Sequence, residues 1–216
     1  MKRTFLLGLA LASFGLASAS SAQAAPGLGF DVSINVAPGG KSAIPPQVVL
    51  AHVLLSGQKA RVETTSGGSR AVVLYSSPFV YRLLPAAKAG VKWKLSKSQT
   101  GAFGGFDPQQ MLRNPGQIRA SLMQQGAKLT GKSQIGGVPV DVFEMSRPSQ
   151  RVSHLKAFLR HSDSFPVRLE AQSGGLKVVA NWSRYTSLSN VSSAQFAPPK
   201  GYAIRESQNP PMVPVL

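Results

Sequence analysis

Lys128-Leu129-Thr130-Gly131-Lys132-Ser133-Gln134-Ile135-Gly136-Gly137-Val138-Pro139-Val140-Asp141-Val142-Phe143-Glu144-Met145 reads as two strands joined by a tight turn. Gly136-Gly137 is a two-residue hairpin signal, because the turns that match strand twist need positive φ at their centre. Apolar residues alternate after it. Val138, Val140 and Val142 share one face, ending at Glu144, while Asp141, Phe143 and Met145 share the other. That two-residue period belongs to a β-strand.

The same period spreads in both directions. Downstream, Leu155 to Leu159 is a strand, and Pro166 to Ala171 follows the turn residues Ser162-Asp163-Ser164. Ser173-Gly174-Gly175 then turns into Leu176 to Tyr185. Phe196 to Tyr202 closes the ordered part, and the Pro-rich tail, 207–216, is expected to be mobile. Upstream, Lys59 to Thr64, Arg70 to Tyr75 and Phe79 to Leu84 are strands. Val91-Lys92-Trp93-Lys94-Leu95 alternates strictly, with both lysines opposite the apolar face. Val48 to Leu55, apolar except for His52, fits either a buried strand or two turns of helix.

One segment breaks the pattern. Thr100 to Phe106 is a Gly-rich flexible loop, and Asp107-Pro108 is a helix start with Asp as N-cap and Pro in the first turn. That turn carries Met111 and Leu112 and stops near Asn114-Pro115-Gly116. A second helical piece, Gln117 to Gln125, places Ile118, Leu122 and Met123 on one stripe, with Gly126 as its C-cap. The reading is nine or ten antiparallel strands with one short helical insertion. A sheet of that size curls. The expected fold is mainly β: a large curled antiparallel sheet, an unclosed half-barrel, with the helical insertion packed over its concave face. One domain would span 47–206.

The N-terminus reads differently. Lys2 and Arg3, an apolar run from Thr4 to Leu16 and the small-residue end Ala22-Gln23-Ala24 follow the order of a secretory signal peptide, 1–24. The run is shorter than the roughly 20 residues that span a bilayer. Residues 25–46 are Gly/Pro-rich, and Phe30 to Val36 alternates there. The flanking Pro38-Gly39-Gly40 and Pro45-Pro46 limit it to a short strand at a sheet edge.

The 216 residues carry 24 Lys+Arg against 8 Asp+Glu, a net charge of +16. Without Lys2 and Arg3 the balance is 22 against 8, or +14. Export to the periplasm turns that charge away from nucleic acid and towards an anionic membrane surface or an acidic protein. Scattered lysines and arginines also serve plain solubility. There is no cysteine. Disulfides, lipidation at a lipobox, thiol catalysis and thiolate metal sites are therefore excluded.

Catalytic patterns are sparse. His52 sits in an apolar run and reads as a packed, hydrogen-bonded side chain. His154 and His161 are seven apart, with no HExxH around them. Asp141 and Glu144, three apart on a strand, point to opposite faces. Neither a nucleophile elbow nor a phosphate-binding loop is present. The expectation is a chain with no catalytic residues, no metal and no cofactor.

Three stretches carry a resemblance. Tyr81-Arg82-Leu83-Leu84-Pro85-Ala86-Ala87-Lys88, followed by Trp93, is similar to a strand ending in a Y-x-x-x-P-x-x-K turn. Gly131 to Phe143 is similar to a G-K-x-x-x-x-G-x-x-x-x-x-[YF] hairpin. Pro166-Val167-Arg168, followed by Phe196 to Tyr202, is similar to a P-[VL]-[KR] strand with a closing F-x-x-P-x-G. In that order, over Lys59 to Tyr202, the chain resembles the periplasmic lipoprotein-carrier and outer-membrane lipoprotein-sorting (LolA-like) superfamily. The resemblance implies an unclosed β-barrel with a helical lid over an apolar cavity that accepts acyl chains.

Two functional readings follow. In the first, the protein is a non-enzymatic carrier or binder of an apolar or acylated ligand, such as a lipid or a lipoprotein acyl chain. Met111, Leu112, Ile118, Leu122 and Met123 would line the lid, and Trp93, Phe143, Phe158 and Trp182 the sheet. Each of these residues taken singly also suits a solid core. In the second, a regulatory or structural periplasmic protein binds an acidic protein or an anionic envelope surface through its basic face.

Overall fold

The computed structural model describes residues 25–38, 45–94, 116–146, 152–173 and 175–208. The signal-peptide segment, the Thr100 to Phe106 loop, the Asp107-Pro108 helix start with Met111 and Leu112, and the tail beyond Gln208 lie outside the described residues.

Twelve strands form one sheet. They are β1 (Ala25–Pro38), β2 (Gln47–Ser56), β3 (Lys59–Ser66), β4 (Ser69–Ser76), β5 (Phe79–Leu84), β6 (Ala89–Lys94), β7 (Lys128–Ile135), β8 (Val138–Ser146), β9 (Val152–Arg160), β10 (Pro166–Ser173), β11 (Leu176–Val191) and β12 (Ala203–Glu206). The single α-helix among the described residues, α1, is Gly116–Gln124. Spatial order is β12-β6-β5-β4-β3-β2-β1-β11-β10-β9-β8-β7. Every pairing is antiparallel except β12 on β6. The two outer strands, β12 and β7, do not pair, so the curled sheet stays an unclosed half-barrel. Two more strands are present than the upper count from the sequence, because Gln47–Ser56 is a strand and Ala203–Glu206 adds a parallel edge.

The largest difference from expectation is β1. It is a fourteen-residue strand at the centre of the sheet, bonded to β2 on one side and β11 on the other, not a short edge strand. Its prolines lie near the ends, at Pro26 and Pro38, where a missing N–H costs little. Its alternation survives intact: Leu28, Phe30, Val32 and Ile34 are all buried on one face. From β1 the chain meanders outward through β2 to β6. It reaches the far edge at β7 and meanders back to close on β1 through β11. β1 therefore joins two limbs that would otherwise be separate sheets.

The predicted Gly136-Gly137 turn has φ of 56° and 81°, the positive pair that a twist-matched hairpin needs. One continuous apolar cluster covers the concave face of both limbs, from Trp93 on β6 through Phe30 on β1 to Phe143 on β8. Smaller clusters cover parts of the convex face. Leu54 and Val191 lie under Phe196 of a 3₁₀ turn, Ser193–Phe196. Val72, Leu74 and Leu83 lie under Tyr202 and Ile204. The apolar run of β2 follows from this arrangement, since its second half is buried on both faces. His52 is not packed. It points from the convex face with Nδ1 2.7 Å from Asp31 Oδ1, and the Arg184 guanidinium pairs with the same carboxylate.

Candidate functional site

Cross-strand pairing fixes which side chains share the concave face. Val32 on β1 sits opposite both Ala51 and Trp182, Val53 opposite Val62, and Val80 opposite Trp93. Directly opposed residues lie on the same side of a sheet. The face is apolar but not sealed. Tyr75, Val91, Met145, Leu155, Leu169 and Trp182 pack on the cluster while remaining partly exposed. Burial pushes the Tyr75 phenol well above its ordinary value, as expected of a polar tip held against apolar surface.

Helix α1 lies on this face at the β8 limb. Ile118 and Leu122, one turn apart, are both buried in the concave cluster. The helix ends as expected at Gly126. The Gly126 N–H donates to Met123 O at 2.9 Å, and the Ala127 N–H donates to Leu122 O at 2.9 Å. That pair of bonds is the Schellman ending, and it puts Gly126 at φ 93°. Ala127 is carried back into the core beside Leu122.

A polar anchor holds the helix as well. Asp141 projects from the concave face of β8 and is 1% exposed. The Arg119 guanidinium of α1 donates to its Oδ2, and His161 Nδ1 lies 2.9 Å from its Oδ1. Arg119 also lies over the Phe143 ring, 5.5 Å from the centroid. Burial pushes the Asp141 carboxyl up, but the His161 bond and the Arg119 charge outweigh it and hold it below its ordinary 3.8. Sequence reasoning noted Asp141 and His161 singly and missed the cluster. Arg119 and His161 are 22 and 20 positions from Asp141, so no local pattern could unite them.

The expected lining residues separate into three groups. Trp93, Ile118, Leu122, Phe143 and Trp182 meet in or against the concave cluster. Met123 does not: it is 55% exposed. At about 100° per helical residue, position 123 lies about 140° from Ile118, off the stripe that Ile118 and Leu122 define. Phe158 is also misplaced. It belongs to the convex face with Val140 and Val142, under the Lys156 ammonium 5.6 Å from its ring. Lys156 and Arg160 share its side of β9, a signal in the sequence that this side faces solvent.

An unclosed, curled antiparallel sheet with a helix on its concave face is now in place. The architecture is the unclosed half-barrel that the sequence led us to expect. No family model and no curated protein matches the sequence. Among solved structures, an uncharacterized conserved protein from Thermus thermophilus is similar at 13% identity, over 83% of this chain and 90% of that one, with a TM-score of 0.55. A LolA superfamily protein from Nitrosomonas europaea is similar at 13% identity, over 82% and 91% of the two chains, with a TM-score of 0.41. The lipoprotein LppX from Mycobacterium tuberculosis is similar at 11% identity, over 73% and 85%, with a TM-score of 0.44. The Thermus likeness shows the architecture alone, since one fold hosts many functions.

Proposed function

We propose that the protein is exported to the periplasm, loses residues 1–24, and works there as a non-enzymatic carrier or binder of an apolar or acylated ligand. The ligand, a lipid or a lipoprotein acyl chain, lies on the concave face beside α1. Tyr75, Met145, Leu155 and Trp182 contribute to its surface, over a buried floor that includes Trp93, Ile118, Leu122 and Phe143. Residues 25–206 act as one unit, because β1 cannot be parted from the sheet. One observation carries the reading. The concave face is apolar across both limbs, yet Tyr75, Met145, Leu155 and Trp182 stop short of full burial. Apolar area that stays wet in the free protein gains about 25 cal/mol per Å² when a ligand covers it.

The test is a fluorescent acyl-probe titration on two variants. Met145→Arg places a charge on the concave face and should abolish saturable binding. Leu50→Lys places one on the convex face, where Leu50 is already exposed, and should leave binding unchanged. Equal effects of the two changes would remove the concave face as the site.

A second reading rests on charge. The net charge of +14 that remains without residues 1–24 also supports binding to an anionic envelope surface. Such binding weakens with salt as the Debye length falls from about 10 Å at 0.1 M to about 3 Å at 1 M.

A further inference from the structure

Arg82 breaks the chemistry of the concave face. On β5 it pairs with Val73 of β4 and Val91 of β6, both of which pack in or on the concave cluster. By that register Arg82 shares their side of the sheet, two residues from the buried Val80. Among the described residues it is the single charged side chain at a concave position on β1 to β6; every other such position is apolar, glycine or an uncharged polar residue. The remaining arginines that reach into the sheet are matched. Arg61 and Arg70 pair with Glu63, Arg119 with Asp141, Arg160 with Asp163 and Arg168 with Glu170. Arg82 has no ion pair or hydrogen bond among the described residues; its Nε is buried without a hydrogen-bond partner, as are those of Arg119 and Arg168, but only theirs belong to guanidinium groups that are ion-paired elsewhere. The residue as a whole is only partly buried.

A buried donor left unpaired costs free energy, and an anionic oxygen is the partner that repays most, because a guanidinium matches carboxylate and phosphate geometry with two parallel bonds. An apolar strip running from such a group accommodates a chain. We propose that Arg82 is the head-group site of the concave face, and that the ligand is an amphiphile with one acyl chain ending in a carboxylate or phosphate. This rests on the acyl-ligand reading above and narrows it to an anionic head. The chain lies along the partly exposed Tyr75 and Val91, above the buried Val73, Val80 and Trp93, while the head oxygens accept from Arg82.

The test uses three twelve-carbon competitors, dodecanoate, dodecyl phosphate and dodecanol, displacing the neutral dye Nile red from the full chain. The wild-type protein should favour both anionic compounds over dodecanol by about tenfold or more, the scale of one hydrogen bond to a charged group. Arg82→Gln should lose that preference and keep its affinity for dodecanol, with an unchanged melting temperature. Arg82→Lys should retain part of it. Inorganic phosphate alone should not compete, since the head without the chain lacks the apolar contribution; competition at equal concentration would point to a free-anion site and overturn the amphiphile. A wild-type protein that binds all three compounds equally, or an Arg82→Gln variant that keeps the preference, overturns the role of Arg82 and leaves apolar binding standing. A wild-type protein that binds neither the dye nor any competitor removes the acyl-ligand reading and this proposal together.

Discussion

Asp141 shows how much one side chain decides here. Its carboxylate is buried under α1 and satisfied by Arg119 and His161. Asp141→Ala removes one member of a buried pair and should destabilise the fold by about 3 kcal/mol, read as a shift in the urea midpoint. Asp141→Asn keeps the shape and should cost less. The pH dependence has a definite sign. A carboxyl held below its ordinary value of 3.8 in the fold stabilises above that pH, and the contribution is lost as the pH falls through the lowered value. The stability gap between the wild type and Asp141→Asn should therefore be present at about pH 5 and close in stronger acid. A gap that persists to about pH 2 would mean that the charge of Asp141 is not what holds the helix.

Individual elements are legible wherever alternation and turn chemistry agree. The β7–β8 hairpin and the Gly126 helix end follow their residues directly, because glycine at positive φ is a local requirement. β1 reads as an edge from its sequence for a physical reason: Pro and Gly mark a strand's ends and its edges alike, and only pairing on both sides tells them apart. The lining is half legible. Faces follow from period, but which face curls inward depends on partners far along the chain, which is why Phe158 lies on the side opposite to the one expected. Helix phase is readable in principle. Leu122→Ala should cost about 2–5 kcal/mol through its buried contacts, and Met123→Ala less than about 0.5 kcal/mol, both by thermal unfolding. Comparable costs would mean that α1 is rotated from the position described.

At the scale of the whole molecule, two meanders depend on one strand. A chain starting at Gln47 lacks β1 and leaves β2 and β11 with unpaired edges facing each other. It should show no cooperative unfolding transition, whereas a chain starting at Ala25 should unfold as one unit. Binding to anionic vesicles, where the protein's net charge acts as a whole, should be seen at low salt and vanish near about 1 M salt; vesicle binding that ignores salt would leave the charge to solubility alone. Neither result touches the central claim, that the partly exposed residues of the concave face hold an acyl ligand. Native mass spectrometry of the exported protein, followed by extraction and identification of the released compound, tests that claim most directly. The account predicts a chain beginning at Ala25 that carries one additional mass, lost on activation and recovered as an acyl-chain compound with an anionic head. A population with no additional mass, and no uptake after incubation with dodecanoate, would contradict it.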